Sequence, residues 1–546
     1  MRWTASLALA GALAFGAATL AQQPSGPIQA EELGAVDPFQ IGSRNVFPAN
    51  IWSSSDPDAL RAILRELPAS DGPGWQQAPA ARLAERALLA SGSPPRGGRD
   101  DFALAALRAD RALAAGRAEP VFELLERTPR LNESAALSRI HAETAFALGE
   151  TRSACNTADS LLRGRDEAYW LRARAVCLAI EGNVAAADLT ADLARAAEHA
   201  PVFDALYDAF TLERGLPSNA APSTGIELAL ATLIAPEARI TPAGDAPPWL
   251  KRAADRTGPP IALPEMLDDA LEAAMNMEAA DRAAALAAIA QQDLDRLIAA
   301  EALAARFDDA VSEGRFAEVA RAYAIEIETI PINAQTLVHG PRFVLALALD
   351  GDVERAFRWR EALLDGPPVD RPEPLMNGFA NGQGPASLTP PPGFASYDEP
   401  EEPWDSPPPG VMVALDMAIA IAADDIGSGP FGAILAARAE NATPARLAQL
   451  AGLAALGASV PEEVRVRLMT AEPREDATRE ADLAGMAALS LVNRSRGEAL
   501  LQAAAIVEAG NGSARSYALA SYILAQAGHR DDALLLILQA VAEETA

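Results

Sequence analysis

The chain has 546 residues and a formal net charge of −30, from 75 acidic and 45 basic side chains. Such an acidic chain repels phosphate backbones, and no local basic stripe offsets this, so we do not expect it to bind nucleic acid. The length is sufficient for the core of several domains.

Residues 1–21 have the layout of a secretory signal peptide. Arg2 precedes an apolar run from Ala5 to Leu20, and small residues lead to Ala21. The run is slightly short for a bilayer span, so we expect cleavage near Ala21, with an uncleaved membrane anchor as the alternative. No later segment has the length and apolarity of a membrane span. The mature protein is therefore expected to be periplasmic or secreted.

The next two regions differ in composition. Residues 22–58 are rich in proline, serine and glycine, and we expect an irregular N-terminal segment that packs on the first helices. Residues 59–216 have helical periodicity, and in this region four glycines recur at intervals of 33 residues. These glycines are Gly116, Gly149, Gly182 and Gly215.

Small residues accompany the glycines at constant offsets. Ala142 and Ala175 each lie seven residues before a glycine, and Ala154 and Ala187 lie five residues after one. Small side chains let two helices approach closely, and glycine adopts the left-handed backbone that ends a helix. Each unit is therefore predicted to be a helix, a glycine turn and a second helix.

This pattern resembles the tetratricopeptide-like helical repeats in a divergent form. That family has a small residue, then glycine seven positions later, then alanine five positions after that. Ala142–Gly149–Ala154 and Ala175–Gly182–Ala187 match it, although the unit here is 33 residues rather than 34. The resemblance implies stacked antiparallel helix pairs, an α-solenoid whose concave face binds a partner.

The two cysteines, Cys155 and Cys177, test this arrangement. They lie on the second helix of one predicted unit and the first helix of the next, at similar distances from the turn near Gly164. Neighbouring antiparallel helices would bring the two thiols within bridging distance, and an exported protein meets an oxidising compartment. We predict a disulfide, with two separate buried thiols as the alternative.

The second half of the chain alternates proline-rich and helical regions. Residues 217–264 contain nine prolines and are predicted to be an irregular connection. Residues 265–364 are predicted to form a second helical block, and residues 365–410 a proline-rich acidic loop or linker. Residues 411–546 are predicted to form a C-terminal helical block. Its first segment, 411–423, contains Asp416 and is too short for a membrane span, so we expect a buried helix.

The loop or linker contains a group of acidic and aromatic residues that could dock a basic groove or bind calcium weakly. The alternative is a solvated acidic loop without a partner. The residues of this possible interaction segment are Tyr397, Asp398, Glu399, Glu401, Glu402, Trp404 and Asp405.

Three other patterns offer weaker signs of chemistry. Residues 427–432 fit the spacing G-x-G-x-x-G, but a helical stretch rather than a strand precedes them, which favours a turn between helices. Asn132, Glu133 and Ser134 resemble the Glu-Ser pair of lytic transglycosylases, but the rest of that motif is absent, and a helix N-cap at Asn132 is the better interpretation.

The four histidines lack the paired spacing of zinc ligands, and we expect surface or helix-end positions for His141, His199, His339 and His529. We therefore predict no catalytic residue, cofactor or metal ligand.

The resulting prediction is an all-α exported protein with no catalytic motif, which serves as a scaffold for a protein or cell-envelope partner. Two alternatives remain open. One is an enzyme of envelope polysaccharide metabolism with a site in a groove between helices. The other is a binding module for an acyl or aromatic ligand.

Overall fold

Alanine- and leucine-rich segments form helices throughout the part of the chain that the structure, a computed structural model, describes. It describes residues 36–42, 47–259, 261–292, 295–367, 404–440, 442–460, 462, 465–466 and 477–546. Within these residues there are 25 α-helices and no β-strand, which confirms the predicted all-α class. Residues from Asp37 to Ala546 make up one compact unit.

In chain order the α-helices are α1 (Pro57–Glu66), α2 (Ala78–Leu88), α3 (Phe102–Ala114), α4 (Ala118–Glu126), α5 (Ala135–Ala147), α6 (Thr151–Ser160), α7 (Ala168–Ile180), α8 (Val184–Ala197), α9 (Pro201–Thr211), α10 (Gly225–Ile234), α11 (Pro248–Ala254), α12 (Leu267–Met275), α13 (Ala279–Ala290), α14 (Arg296–Ser312), α15 (Phe316–Tyr323), α16 (Ala334–Leu337), α17 (Gly340–Asp350), α18 (Val353–Asp365), α19 (Pro409–Ala422), α20 (Gly429–Ala439), α21 (Pro444–Ala455), α22 (Ala477–Val492), α23 (Arg496–Ala509), α24 (Ala514–Gln526) and α25 (Arg530–Thr545).

Three of the four periodic glycines end helices in the predicted way. Gly116, Gly149 and Gly182 follow α3, α5 and α7 by two residues, with φ of 98°, 79° and 79°. At Gly149 the amide of the next residue, Glu150, also donates to the carbonyl of Ala145, which closes a left-handed helix cap. Each glycine then leads into the second helix of a hairpin, α4, α6 or α8.

The fourth glycine does not have this role. Helix α9 ends at Thr211, and the residue two positions later, Glu213, takes the left-handed backbone with φ of 51°. Arg214 then donates its amide to Ala209 O (2.8 Å), as Glu150 and Asn183 do after Gly149 and Gly182. Gly215 lies beyond this cap. Glycine therefore recurs a fourth time at the 33-residue interval, but there it no longer ends a helix.

The small residues of the repeat lie where helices meet. Helix α5 packs against α6 and α7 against α8. The side chains of Ala142, Ala154, Ala175 and Ala187 are fully buried. Replacing them with larger residues would separate the paired helices, which explains their constant offsets from the glycines.

The disulfide prediction is confirmed. Cys155 on α6 and Cys177 on α7 are bonded, with 5.6 Å between their Cα atoms. The bridge joins the second helix of one hairpin to the first helix of the next. It therefore links two units that the backbone joins only through residues 161–167.

Residues 217–264 are more helical than expected. They contain α10 and α11, and the prediction of an irregular connection is wrong for these two helices. The prolines do not prevent helix formation because they stand at helix ends: Pro222 precedes α10, Pro236 follows it, and Pro248 is the first residue of α11. Proline at the first helical position loses no intrahelical hydrogen bond.

The apolar segment near position 411 is a buried helix, as predicted. Seven of the fourteen residues of α19 are buried. Its one charged residue, Asp416, receives two hydrogen bonds from the Arg360 guanidinium on α18, at 2.6 and 2.9 Å. This paired geometry offsets the cost of desolvating the carboxylate.

The N-terminal helices pack against the C-terminal ones. Helix α2 contacts α23 and α25, and α1 contacts α23. The Glu508 carboxylate on α23 accepts the amides of Gln76 and Gln77 at the start of α2, at 2.8 and 2.9 Å. Gly497 lies directly against the Trp52 indole, where a Cβ atom would come within 2.4 Å of the ring. The two ends of the described unit are thus held together by close contacts.

Helix α25 is at the centre of this arrangement. It contacts α2, α15, α17, α19, α21 and α24, and its side chains are buried on most of its circumference. Its Glu543 carboxylate accepts the amide of Ala317 at the start of α15 (2.9 Å), and burial raises the Glu543 pKa. A helix surrounded in this way needs apolar residues on all sides, which the sequence of α25 supplies.

Candidate functional site

A cavity with a mixed polar and apolar lining lies along α3 and α5. It has a volume of about 790 Å³ and is closed by the α1–α2 connection, the start of α10 and the residues around the start of α11. We call it the α3–α5 cavity. Its lining residues are Ala69, Ser70, Asp71, Ala103, Ala106, Leu107, Asp110, Arg111, Leu113, Ala136, Arg139, Ile140, Glu143, Ser223, Thr224, Asp245, Ala246, Pro247 and Trp249.

Equivalent positions of the repeat line this cavity. Four lining residues of α3 have a counterpart one 33-residue period later on α5. The pairs are Ala103 with Ala136, Ala106 with Arg139, Leu107 with Ile140, and Asp110 with Glu143. The first helices of two successive hairpins therefore present the same face to one space.

Glu143 is the most constrained charged group in the lining. Its Oε2 accepts the amide of Gly225 at the start of α10 (2.6 Å), while its Oε1 is buried without a hydrogen-bond partner. Burial raises the Glu143 pKa, against the opposing influence of the Gly225 amide, the Tyr169 hydroxyl and the Arg139 guanidinium. Tyr169 lies beside this carboxylate, but its buried hydroxyl does not meet hydrogen-bond geometry with it.

Arg139 is the cation of the lining without a carboxylate partner. Its guanidinium lies 4.7 Å from the centre of the Tyr169 ring, and no ion pair joins it to another described residue. Arg111, in contrast, is paired with Asp110 and donates to Leu64 O (2.8 Å). Of the two guanidinium groups, only that of Arg139 is therefore available to a ligand.

The remaining walls come from distant parts of the chain. Trp249 on α11 donates its indole N–H to Ser70 O (3.0 Å), and the Ser70 hydroxyl bonds to Asp110. Asp71 and Asp245 are exposed carboxylates at the cavity, without a described hydrogen bond or ion pair. None of the lining charges was predicted as a site residue, although the 33-residue period could have pointed to Asp110 and Glu143.

A second group of charges joins helices around α15. Arg82, Arg252 and Arg315 converge on Glu318, and Arg117 pairs with Glu85 on α2. Burial opposes ionisation of Glu318, but the three guanidinium groups outweigh burial and lower its pKa. These charges satisfy one another, so we assign the group a structural role.

The possible interaction segment lies mostly outside the described residues. Of its members, only Trp404 and Asp405 are described. The Trp404 indole donates to Leu363 O (2.9 Å), and Asp405 is exposed. Trp404 thus holds the chain against the end of α18 shortly before α19.

One interpretation among the weaker motifs is wrong. Ser134, not Asn132, is the N-cap of α5, because its hydroxyl accepts the amide of Leu137 (3.3 Å). Asn132 instead belongs to a short 3-10 helix and donates to Ser160 O (3.3 Å). Gly427 and Ser428 lie between α19 and α20, as the turn interpretation predicted, but residues 429–432 form the first turn of α20, with Ser428 as its N-cap.

The histidine prediction is wrong for His141, which is buried in the middle of α5. Its Nε2 lies 2.7 Å from a Glu126 carboxylate oxygen and its Nδ1 lies 2.9 Å from the Thr157 hydroxyl. These bonds to α4 and α6 offset the cost of burying the ring. The imidazole also stacks on Phe122, and it does not line the α3–α5 cavity. We assign this group a structural role.

The described residues lack two further features, a metal-binding cluster and a membrane-spanning helix. They contain no group of three or more His, Cys, Asp or Glu side chains arranged to hold a metal ion. No α-helix among them combines the length and the apolarity needed to cross a bilayer.

Comparisons with protein families, curated proteins and solved structures returned no match for this chain.

Proposed function

We propose that this protein is an exported helical-repeat scaffold without catalytic activity, which binds a protein or cell-envelope partner in the α3–α5 cavity. One observation carries the proposal: four pairs of residues, each one repeat apart, line a single space of about 790 Å³. The resemblance to tetratricopeptide-like repeats, which implies a concave face that binds a partner, supports this proposal. The cavity volume is also within the range of ligand sites.

The disulfide supports the exported location. Cys155 and Cys177 form a bridge, and bridges of this kind persist in oxidising compartments such as the periplasm. The signal-like segment at residues 1–21, which lies outside the described residues, supports the same location. A periplasmic or secreted protein would meet envelope proteins and cell-wall polymers as its partners.

Affinity capture from the native cell envelope tests the proposal. Ala136 is exposed and lines the cavity, so Ala136→Trp would fill the space without displacing a core side chain. Ala185 is an exposed alanine on α8 that does not line the cavity, and Ala185→Trp is the matched control. We expect crosslinked partners to be lost from the first variant and retained by the second. Equal recovery from both variants would refute partner binding in the cavity.

A second candidate function is processing of an envelope polysaccharide. It rests on the four carboxylates of the lining, one of which, Glu143, has a pKa raised by burial. Glycosidases use a pair of carboxyl groups, one of them a general acid with a raised pKa. The measurement is release of soluble fragments from purified envelope polysaccharide by the wild-type protein and by Glu143→Gln. Absence of release by the wild-type protein would eliminate this candidate.

A further inference from the structure

Another cavity lies between two successive helix turns in the C-terminal part of the chain. It has a volume of about 300 Å³, and its lining comes from the end of α22, the start of α23 and the end of α24, with the turns that follow α22 and α24. We call it the α22–α24 cavity. It shares no lining residue with the α3–α5 cavity, so it is a separate space with its own chemistry.

The two turns have the same construction and are 34 residues apart. Arg494 takes the left-handed backbone in the first turn (φ 57°), and Gly528 takes it in the second (φ 82°). The next amide, that of Ser495 or His529, donates to the carbonyl five residues earlier, at 2.9 and 2.7 Å. Glycine suits this backbone better than any other residue, so the turn itself does not require the Arg494 side chain.

The lining is basic, although the chain as a whole is strongly acidic. Arg494 and Arg496 both line the cavity, and none of its lining residues is an aspartate or a glutamate. Both arginines are exposed, and no ion pair or side-chain hydrogen bond joins either guanidinium to a described residue. Arg530, at the start of the next helix, is in contrast paired with Asp424 (3.3 Å). Two positive charges are therefore available to a ligand at one place.

The N-terminal segment holds the backbone that carries these arginines. The Ser54 hydroxyl donates to Arg494 O (2.9 Å), and the Ser495 hydroxyl donates to Ser54 O (3.2 Å). A Cβ atom at Gly528 would lie 3.9 Å from Arg496 Nη2, so the Arg496 guanidinium reaches the second turn. The first turn is thus fixed by contacts, while its two guanidinium groups stay free to bind.

A phosphate monoester matches this lining better than a carboxylate does. Its second pKa is about 6, so at about pH 7.5 it carries close to two negative charges, which equals the charge of two guanidinium groups. Guanidinium groups bind phosphate oxygens through paired N–H donors. The exposed Gln526 amide lines the same cavity and bonds to no described residue, so it supplies a further donor. A carboxylate, with one charge, would leave one guanidinium uncompensated.

Two sources of negative charge oppose an anion at this cavity. The Ser490 hydroxyl of the lining donates to the Glu498 carboxylate (2.7 Å), but burial raises the Glu498 pKa and so favours its uncharged form. The net charge of −30 is spread over the whole chain, and charges beyond about 8 Å are largely screened at physiological ionic strength. The two guanidinium groups of the lining therefore dominate the local field.

We propose that the α22–α24 cavity binds a terminal phosphate group between the guanidinium groups of Arg494 and Arg496, with the Gln526 amide as a further donor. A soluble phosphate monoester and a lipid with a monoester headgroup both carry this chemistry. The site goes beyond the proposed function and does not depend on partner binding in the α3–α5 cavity.

A phosphorus NMR titration of the whole protein at about pH 7.5 tests the proposal. The probe is glycerol 3-phosphate, compared with glycerophosphocholine, a diester whose phosphate has a single negative charge. We expect the monoester to bind at least about tenfold more tightly than the diester. Equal binding of the two compounds, or no binding of the monoester at about 10 mM, would overturn the proposal.

Variants locate the site. Arg494→Gly removes one guanidinium and supplies the residue that the equivalent turn has, so it should fold at least as stably as the wild-type protein. Arg496→Gln removes the other guanidinium. Arg515→Gln is the matched control, because Arg515 is exposed on α24, has no described ion pair and does not line the cavity.

We expect the affinity for glycerol 3-phosphate to fall about tenfold in Arg494→Gly and in Arg496→Gln and to stay unchanged in the control. Unchanged affinity in the first two variants would refute the site. An equal fall in all three would show a general effect of net charge and would refute it as well.

Vesicle sedimentation distinguishes the two sources of the phosphate. Vesicles of phosphatidylcholine with and without phosphatidic acid present the monoester on a lipid surface or omit it. Recruitment of the wild-type protein but not of Arg494→Gly by phosphatidic acid assigns the phosphate to a lipid, and binding of glycerol 3-phosphate without recruitment assigns it to a soluble ligand. Equal recruitment of both proteins would overturn lipid binding in this cavity. Ala136→Trp should leave phosphate binding unchanged, so failure of this site and failure of the proposed function are distinguishable.

Discussion

At the residue scale, glycine is required at some helix ends and replaceable at others. Gly149 and Gly182 both have φ of 79°, and a Cβ atom added at either would meet nothing within 4 Å. Any cost of a side chain there comes from the left-handed backbone alone. Glu213, Asp424, Arg494 and Asn511 accept this backbone two residues after a helix ends, which shows that the fold bears the cost at several helix ends.

Alanine substitutions should separate these cases. Gly149→Ala and Gly182→Ala should each lower the free energy of unfolding by about 1 kcal/mol, because left-handed backbone disfavours a Cβ atom. Gly215 lies outside the left-handed range with open space around it, so Gly215→Ala should be neutral or slightly stabilising. Urea denaturation midpoints measure this difference. An equal loss at Gly215 would contradict the proposed role of backbone conformation.

A second residue-scale prediction concerns His141. Burial lowers its pKa, with the Glu126 carboxylate opposing that effect. At pH values between this lowered pKa and the ordinary histidine pKa of about 6.5, the unfolded chain binds the proton more readily than the folded chain. The free energy of unfolding therefore rises with pH across that range. Above about pH 6.5 the His141 imidazole is neutral in both states and costs no stability. At lower pH, protonation of the unfolded chain lowers the free energy of unfolding.

Proton NMR of the four histidines can follow this titration, with His141→Gln identifying the His141 signal. We expect a midpoint below the ordinary histidine value of about 6.5. The His141→Gln variant should lose this part of the pH dependence of stability. A midpoint at or above the ordinary value would show that the ion pair with Glu126 outweighs burial.

At the element scale, the hairpins depend on links between successive units. Helices α5 and α6 form one unit and α7 and α8 the next, and α6 contacts α7. The outer face of α8, in contrast, leaves Leu189 and Leu193 exposed, because the 33-residue repeat ends there. The disulfide between α6 and α7 therefore strengthens the last regular junction of the repeats.

Removing the disulfide should destabilise this junction. The bridge spans 22 residues, and in the chain-entropy model its loss costs about 3 kcal/mol. Cys155→Ala with Cys177→Ala should lower the denaturation midpoint, and a reductant should lower that of the wild-type protein by a similar amount. The double variant should not respond to the reductant. A wild-type protein insensitive to reduction under denaturing conditions would contradict this.

At the scale of the whole molecule, stability depends on contacts between the two ends of the described unit. Gly497 on α23 donates its amide to Ile51 O (3.1 Å), and the buried Trp52 indole covers the same glycine. Neither contact can form until the N-terminal segment and α23 are both in place. We therefore expect α1, α2 and α23 to open together rather than separately.

Gly497→Ala tests this dependence. Its Cβ atom would lie 2.4 Å from the Trp52 ring and 3.0 Å from Ile51 O, so we expect a loss of about 1–3 kcal/mol and faster hydrogen exchange in α1, α2 and α23. Gly485→Ala is the control, since Gly485 is an exposed helical glycine with nothing within 4 Å, and it should gain up to about 1 kcal/mol. Faster exchange confined to α23 would contradict joint opening.

The sequence by itself determined the features that depend on local backbone and neighbouring helices. The glycine-ended hairpins and the Cys155–Cys177 bridge follow from periodicity, because successive helices lie close in space. The same period relates Asp110 to Glu143, but nothing in the local pattern places Asp245 beside them. Only the tertiary structure decided that the 217–264 region closes the cavity and that α2 meets α23. Those contacts join residues far apart in the chain, 82 positions for Glu143 and Gly225 and 432 for Gln76 and Glu508, and they depend on the summed geometry of every helix between them.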